Sequence, residues 1–417
     1  MYVETRTEVL SIEDYIAPYV PFFSRSEAVE LARSYVVGLT LEGERKSVEP
    51  MSAKVHASER GMQRLLTEVK WDHEGVIRCY RQRMLAETND PLGVLAVDDT
   101  AFPKKGQHSV CVARQYCGSL GKVDNCQVGV SLTYVGQGIA WPYVMDLFVP
   151  KTWDDPEDPR CAVMREKTRM PYMAHHQAKW QIALQQIDLA RKDGALHRAV
   201  VADTSYGTVT EFRKEMDDRQ EGYVVGIQGA TEVFLESPVF VEPPPKHRKR
   251  GRPAKHPKLI ETNPRPVKVS ELSAQVQEGQ WEHLELRRTS KGKPLIVEAI
   301  SLRVWPSQGY RKGIRHEEVW LIIERRTKAT EYEFRYFFSN MPQDMPTLEM
   351  VRLYHERYWI EQGYQQLKEE LGLDHHEGRS WTGWHRHVLL VFLAFGYLSL
   401  LRIQDKKQAE RALWKKA

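Results

Sequence analysis

The chain has 417 residues, 41% apolar and 28% charged, and its 60 basic and 56 acidic side chains leave a formal charge of +4. That length supports at least one large core and two or three domains, while so small a basic excess argues against a histone-like polycation. Five cysteines (Cys79, Cys111, Cys117, Cys126 and Cys161) show no CxxC spacing, so reduced thiols are expected rather than a disulfide framework or a structural zinc site.

The opening "MYVETRTEVL" lacks the apolar stretch of a signal peptide. Residues 1–90 read as a helical region. "SRSEAVELARSYVVGL" places Ser24 and Glu27 at capping-box spacing ahead of a helical apolar period, and "ERGMQRLLTEVKWDHEGVIRCYRQRMLAE" continues it with many Arg and Lys on its polar faces. From residue 92 the pattern changes. "LGVLAVDDT" is a short apolar run ending in acids, as expected of a strand buried on both faces. "CQVGVSLTYVG" and "IAWPYVMDLFV", joined through "GQG", read as a hairpin. A helix over "MAHHQAKWQIALQQIDLARKDG", a buried strand in "HRAVVADTSYG", a short helix in "TVTEFRKEMDDR" and a strand in "GYVVGIQ" complete an order β-β-β-α-β-α-β. This α/β segment is expected over residues 91–228.

Residues 229–340 interrupt that alternation. Seven of the 22 prolines fall between Pro243 and Pro266, around "KHRKRGRPAKHPK", a run with seven Lys and Arg and no acid. "HLELRRTS", "PLIVEAISLRVW", "EEVWLIIERR" and "YEFRYFFS" follow as antiparallel strands, so a β-rich insertion carrying a basic loop over residues 246–258 is expected. Lys249, Arg250 and Arg252, in "KRGRP", resemble an AT-hook core and are candidate DNA contacts in the minor groove. Helices resume at 341–417. There the apolar run "VLLVFLAFGYLSLL" at 388–401 is too short to span a bilayer and fits a core helix, so no membrane partner is expected.

The stretch "YHERYWIEQGYQQLKEEL" carries two stripes when read as one helix. Leu353, Ile360, Tyr364, Leu367 and Leu371 form an apolar arc, and Tyr354, Arg357, Glu361 and Lys368 form a second arc rotated by about 80°. Asp98 and Asp99 end the first buried strand, and Asp203 ends the fourth, where it could instead cap a helix. Carboxylates at buried strand ends are costly unless paired or metal-bound. Two such acids plus Glu361 can hold hard divalent ions, Mg²⁺ or Mn²⁺, as a two-metal site for phosphoryl transfer. Tyr354, Arg357 and Lys368 then read as phosphate-gripping groups. Lys104, Lys105, His108 and Arg114, near the first acids, are further candidate phosphate contacts.

The order of elements, the three acids and the spacing Tyr354-x2-Arg357-x3-Glu361-x6-Lys368 resemble the RNase H-like catalytic domain of DDE insertion-sequence transposases. In one large group of these a β-rich domain stands between the second Asp and the Glu. "DDTAFPKKG", "ARQYCGSLGKVDNCQVGVSL" and "VVADTSYG" are similar to the segments around the first two acids of such enzymes. The resemblance implies an α/β fold: an RNase H-like mixed sheet with flanking helices, a β-rich insertion and an all-helical N-terminal domain. It implies a metal-dependent enzyme that cuts element ends and transfers strands into target DNA. Its partners would be double-stranded DNA, as terminal inverted repeats and target, and a second copy of the chain at least. Relatives carry the metal ligand directly before Thr, which favours Asp99 over Asp98 for the first acid. Some also pass through a DNA hairpin with a flipped base, for which Trp281, Trp305, Trp320, Trp381 and Trp384 are candidate stacking partners. The expected location is the bacterial cytoplasm, at the nucleoid. The alternative is a DNA-binding protein that keeps this fold without cutting.

Overall fold

The computed structural model describes residues 9–241, 256–260, 265–288, 292–328 and 331–414. They divide into two compact units, the first built from residues up to 197 together with those from 358 onward, the second from residues 198–357.

In the first unit the helical periodicity near the start of the chain becomes α1 (Ile12–Ile16), α2 (Ser26–Thr40), α3 (Val48–Lys54), α4 (Glu59–Thr67) and α5 (His73–Thr88). Ser58 and Asp72 cap α4 and α5, accepting from the backbone N–H of Gly61 and Gly75 at 3.0 and 2.9 Å. The capping box expected at Ser24 and Glu27 does not form. Helix α2 begins two residues later without a side-chain cap, because the Ser24 hydroxyl donates instead to the Lys70 carbonyl at 3.0 Å.

Strands β1 (Val94–Pro103), β2 (Ala113–Cys117), β3 (Lys122–Gly136) and β4 (Ile139–Leu147) follow, then α6 (Pro159–Lys167) and α7 (Lys179–Lys192). β3 pairs antiparallel with β1 along its length, setting Asp98 opposite Ser131 and Asp99 opposite Val130. It also pairs with β2 near its start and with β4 toward its end. The β3–β4 turn has two residues, Gln137 and Gly138, with φ of 50° and 74°. Positive φ at both positions is what a tight type I′ hairpin requires, and the glycine supplies it without strain. β2 and α6 were not expected from the sequence.

The second unit holds β5 (Ala199–Ala202), α8 (Thr204–Gly207), α9 (Thr210–Asp218), β6 (Tyr223–Ile227), β7 (Glu232–Phe234), β8 (Phe240–Val241), β9 (Lys258–Leu259), β10 (Val267–Lys268), α10 (Val269–Gln275), β11 (Glu282–Arg288), β12 (Pro294–Pro306), β13 (Val319–Lys328), β14 (Glu331–Ser339) and α11 (Thr347–His355). β5 and β6 are parallel, and β6 continues antiparallel into β14, β13, β12 and β11, so this sheet is mixed. The first unit thus carries an antiparallel meander and the second a parallel strand pair with helices beside it, a mixed α/β architecture as expected from the sequence. The unit boundary does not follow residues 229–340: hydrogen bonding of β14 to β6 makes the inserted strands continuous with β5 and β6. Lys249, Arg250 and Arg252 lie outside the described residues.

The chain returns to the first unit as α12 (Tyr358–Gln365), a π-helical turn over Gln366–Glu370 and α13 (Trp381–Trp414). Helix α13 is long and apolar enough to cross a membrane, yet 72% of its most apolar window is buried inside the protein. Its contacts are those of a core helix. The Leu393 carbonyl accepts from the Tyr15 hydroxyl at 2.7 Å, and Arg386 donates to the carbonyls of Leu65 and Val69 at 3.0 and 2.8 Å. His387 is 1% exposed and bonds through Nδ1 to the Tyr35 hydroxyl at 2.9 Å. Its Nε2 faces the Gly372 and Leu373 carbonyls at 3.2 Å, which fixes the proton on Nε2.

Candidate active site

The two adjacent acids of β1 face opposite ways, because side chains alternate along a strand. On the even side, Ser131 stands opposite Asp98 and shares a 2.5 Å hydrogen bond with the Tyr364 hydroxyl of α12. Phe102, four residues further on, lies 5.6 Å beneath the Lys368 ammonium and packs edge-on against Trp384 of α13 at 5.8 Å. On the odd side, Asp99 accepts from the Lys179 ammonium at the start of α7 at 2.6 Å. Ala101 clusters there with Cys117, Cys126, Val128 and Phe148, and the Phe148 ring lies 5.7 Å from that same ammonium. Asp146 of β4, opposite Val130, belongs to this side as well and accepts from Gln186 of α7 at 2.7 Å. Asp98 therefore shares a face with α12, and Asp99 is paired with Lys179 of α7.

Helix α12 brings Glu361 to the Asp98 side. Glu361 precedes Tyr364 by three residues, so both sit on one helix face, and Glu361 is exposed. The π turn then carries Lys368 to the end of β1, where its ammonium donates to the Ala101 carbonyl at 3.0 Å and burial lowers its pKa. A π turn of this kind is frequent at functional sites. The apolar stripe holds: Leu353, Ile360, Leu367 and Leu371 are all buried. The single straight helix does not. α11 ends at His355, α12 starts at Tyr358, and the unit boundary falls between Arg357 and Tyr358.

Tyr354, Arg357 and Asp203 belong to the second unit and form a neighbourhood there. The Tyr354 ring packs on Phe337 at 3.9 Å between centroids. A Cβ at Gly226 of β6 would come within 3.0 Å of the Tyr354 hydroxyl and of the backbone nitrogen of Thr204, so only glycine admits this approach. Burial pushes the Tyr354 phenol up, Arg357 draws it down and Asp203 adds to the rise, which puts all three in electrostatic reach. Asp203 is also the N-cap of α8, its Oδ1 accepting from Ser205 N–H at 2.9 Å and Ser205 O–H at 2.6 Å. Next to Tyr354, His355 bonds Glu324 at 2.7 Å, and Arg326 bonds the same carboxylate at 2.8 Å. Burial alone would raise the fully enclosed Glu324; its hydrogen bond to His355 and the nearby charges bring it below the usual range.

The outlying candidates divide. Lys104 is committed to the His376 carbonyl at 2.7 Å and is half-buried, with its pKa lowered by burial, so it is a structural tie rather than a free phosphate contact. Lys105, His108 and Arg114 are exposed. Trp281 and Trp384 are buried in packing. Lys179, Ser131 and Gly226 were missed by sequence reasoning; only the glycine inside an apolar strand left a signal.

Within neither unit do three His, Cys, Asp or Glu side chains of the described residues converge as metal ligands. The expected acids are divided, with Asp98, Asp99 and Glu361 in the first unit and Asp203 in the second. Their donor set is oxygen only, which fits a hard divalent ion such as Mg²⁺ and not a soft one.

Residues 18–293 match the family model described as DDE superfamily endonuclease. The matched stretch contains Asp98, Asp99 and Asp203 and stops short of Glu361. A probable transposase for insertion sequence element IS701 from Microchaete diplosiphon is 24% identical over 366 residues, covering 87% of this chain and 80% of the relative. Among solved structures, the piggyBac transposase synaptic complex with hairpin DNA aligns over 93% of this chain and 67% of its own, with 9% identity and a TM-score of 0.43. The NurA nuclease from Sulfolobus solfataricus aligns over 82% and 93%, with 9% identity and a TM-score of 0.25. The family match spans well over half of the chain, and the chain belongs to the DDE superfamily endonucleases.

Proposed function

We propose that this chain is the transposase of an insertion sequence, cutting DNA at the element ends and joining the freed 3′ ends to target DNA. The observation that carries the reading is the shared face of Asp98 and the Glu361 helix, fixed by the Ser131–Tyr364 bond and by Lys368 on the Ala101 carbonyl. Asp98, Asp203 and Glu361 would hold the metal, so the first ligand in this proposal is Asp98, and Asp99 would serve through its pair with Lys179. When bound, two Mg²⁺ ions, or Mn²⁺ in their place, supply activation of the attacking water or 3′-OH and stabilisation of the leaving oxygen. Arg357, Lys368 and Tyr354 grip the phosphates that flank the scissile bond, and Lys105, His108 and Arg114 extend that contact along the duplex. The protein acts on double-stranded DNA in the cytoplasm, as a dimer or higher assembly that brings two ends together.

The relative's name supports this reading, as does the match of Tyr354, Arg357, Glu361 and Lys368 to the transposase spacing. The test is cleavage of a duplex carrying the element's own end, comparing wild type with Glu361→Gln in Mg²⁺, Mn²⁺ or EDTA. Metal-dependent cutting that vanishes in the variant while DNA binding persists is the expected result. Binding without cutting by either protein under every metal would sink the enzymatic reading.

A further inference from the structure

A cavity of about 500 Å³ opens in the first unit between α5, β4, α7 and α13. Val144, Met145 and Asp146 of β4 all line it. Side chains alternate between faces along a strand, so three consecutive residues meet one space only where it runs along the strand's edge. Among the described residues β4 pairs with β3 alone, which leaves that outer edge to the cavity. Close-packed interiors leave few voids larger than a water molecule, whereas ligand sites are of this size.

The lining is apolar on one side and charged on the other. Met145, Val388, Leu389 and Phe392 form a buried wall. The charged residues are three of each sign: Arg78, Arg81 and Lys192 against Glu74, Asp146 and Asp193. Glu74, Arg78 and Lys192 are exposed and stand at the mouth, in water. Further in, Arg81 and Asp193 are bonded to each other at 2.6 Å, and the Tyr143 hydroxyl also donates to Asp193 at 2.8 Å. Asp146 is left without a cation of its own among the described residues. It accepts from the Gln186 amide at 2.7 Å, while the same amide nitrogen donates to the Val130 carbonyl at 2.9 Å. Burial pushes the Asp146 carboxyl up, and neither that bond nor the charge of Arg81 offsets the rise. His385 of α13 adds an acceptor rather than a second charge. Its Nδ1 donates to the Trp381 carbonyl at 2.9 Å, and burial pushes the ring down to about 4, so its Nε2 is bare at neutral pH. Burial pushes His73 down as well.

We infer that this cavity is a binding site for a small organic cation with a flat apolar body, its amine or amidine on Asp146 and its body against Leu389 and Phe392. An enclosed carboxylate is stabilised by a cation that also donates hydrogen bonds, and such a pair is stronger than a neutral one. An anion would meet Asp146 and Asp193 where the Arg81 charge is already bonded. A neutral molecule of the same shape would cover the apolar wall and leave the acid unanswered. The site needs neither DNA nor metal, so it goes beyond the transposase reading and does not depend on it.

Benzamidine, benzamide and benzoate share one ring and differ in charge, and they are the probes in calorimetric titrations of the whole chain. Benzamidine should bind about tenfold more tightly than either of the others and raise the melting temperature. Asp146→Asn keeps the side chain's shape and should bind benzamidine and benzamide alike. Gln185→Trp is the second variant, in case the first does not fold. Gln185 is exposed on α7 at the rim, so the indole should close the mouth, weaken benzamidine by about the same factor and leave the melting temperature of the free protein unchanged. Equal affinity for benzamidine in wild type and in either folded variant would overturn the site. So would benzoate binding as tightly as benzamidine, or no binding by any of the three. Cleavage of DNA is not read, so each of these outcomes leaves the transposase reading standing.

Discussion

The two sides of β1 carry the same chemistry at their centre, one carboxylate each, and differ in everything around it. The α7 side closes its acid with a lysine at 2.6 Å and lines up Asp146 behind it under Gln186. The α12 side surrounds its acid with a hydroxyl pair, a helix bearing an exposed glutamate and a lysine that ties to the strand's own backbone. An acid with a cation already bound has part of its charge answered by the protein. The other side sets its acid, whose Oδ1 accepts from the Asp99 backbone N–H at 2.8 Å, on the face that meets the helix carrying the third carboxylate.

The largest effect expected is on cleavage. Asp98→Asn should abolish it, whereas Asp99→Asn should stay within about 100-fold of wild type, the range of a residue that acts through a neighbour. Reversed outcomes in the end-cleavage assay would exchange the roles of the two sides. Next comes Leu367→Ala, which empties the buried stripe beneath α12 and should cost about 2–5 kcal/mol, seen as a fall in melting temperature. No change would mean that the π turn is not seated on the core.

Acid should loosen the same side. Burial pushes His387 down to about 4, below its unfolded value near 6.5, so the unfolded chain binds the proton first. The stabilising preference for neutral His387 is complete above about 6.5 and is lost as pH falls from there toward 4, roughly 3 kcal/mol over the window. Denaturant titrations at pH 7 and pH 4.5 measure it, and His387→Gln should flatten the slope. In the second unit, Gly226→Ala drives a methyl into Tyr354 and Thr204 and should cost about 1–3 kcal/mol and slow cleavage. Ser131→Ala is the smallest test. It removes the bond to Tyr364 at about 1 kcal/mol and should lower the cleavage rate more than the melting temperature.

Much of this was legible in the sequence. Apolar runs leading into acids located β1 and β5, although β1 runs on past Asp98 and Asp99 to Pro103 rather than ending there; "GQG" located the β3–β4 turn, and Leu353, Ile360, Leu367 and Leu371 are buried although the helix carrying them breaks. The face of Asp98 against that of Asp99 was not legible. A one-residue difference decides a strand's sides, and adjacent identical residues give no pattern from which to choose. Nor was the fate of Lys104: a basic loop side chain looks the same in sequence whether it meets phosphate or a carbonyl 272 residues away. The Ser24 cap failed for a related reason, since a distant carbonyl outcompeted the local amide.

Helix α13 also sets a timetable. The residues it touches, Tyr15, Tyr35, Leu65 and Val69, leave the ribosome early, yet they lack their core until residues beyond 380 are made. At about 5–20 residues per second the roughly 180 residues from 198 to 380 take about 10–40 s to synthesise. During that interval the chain already carries Asp98 but not the helix that completes the core of its unit. The order of synthesis therefore places the acid well ahead of the packing that holds its strand.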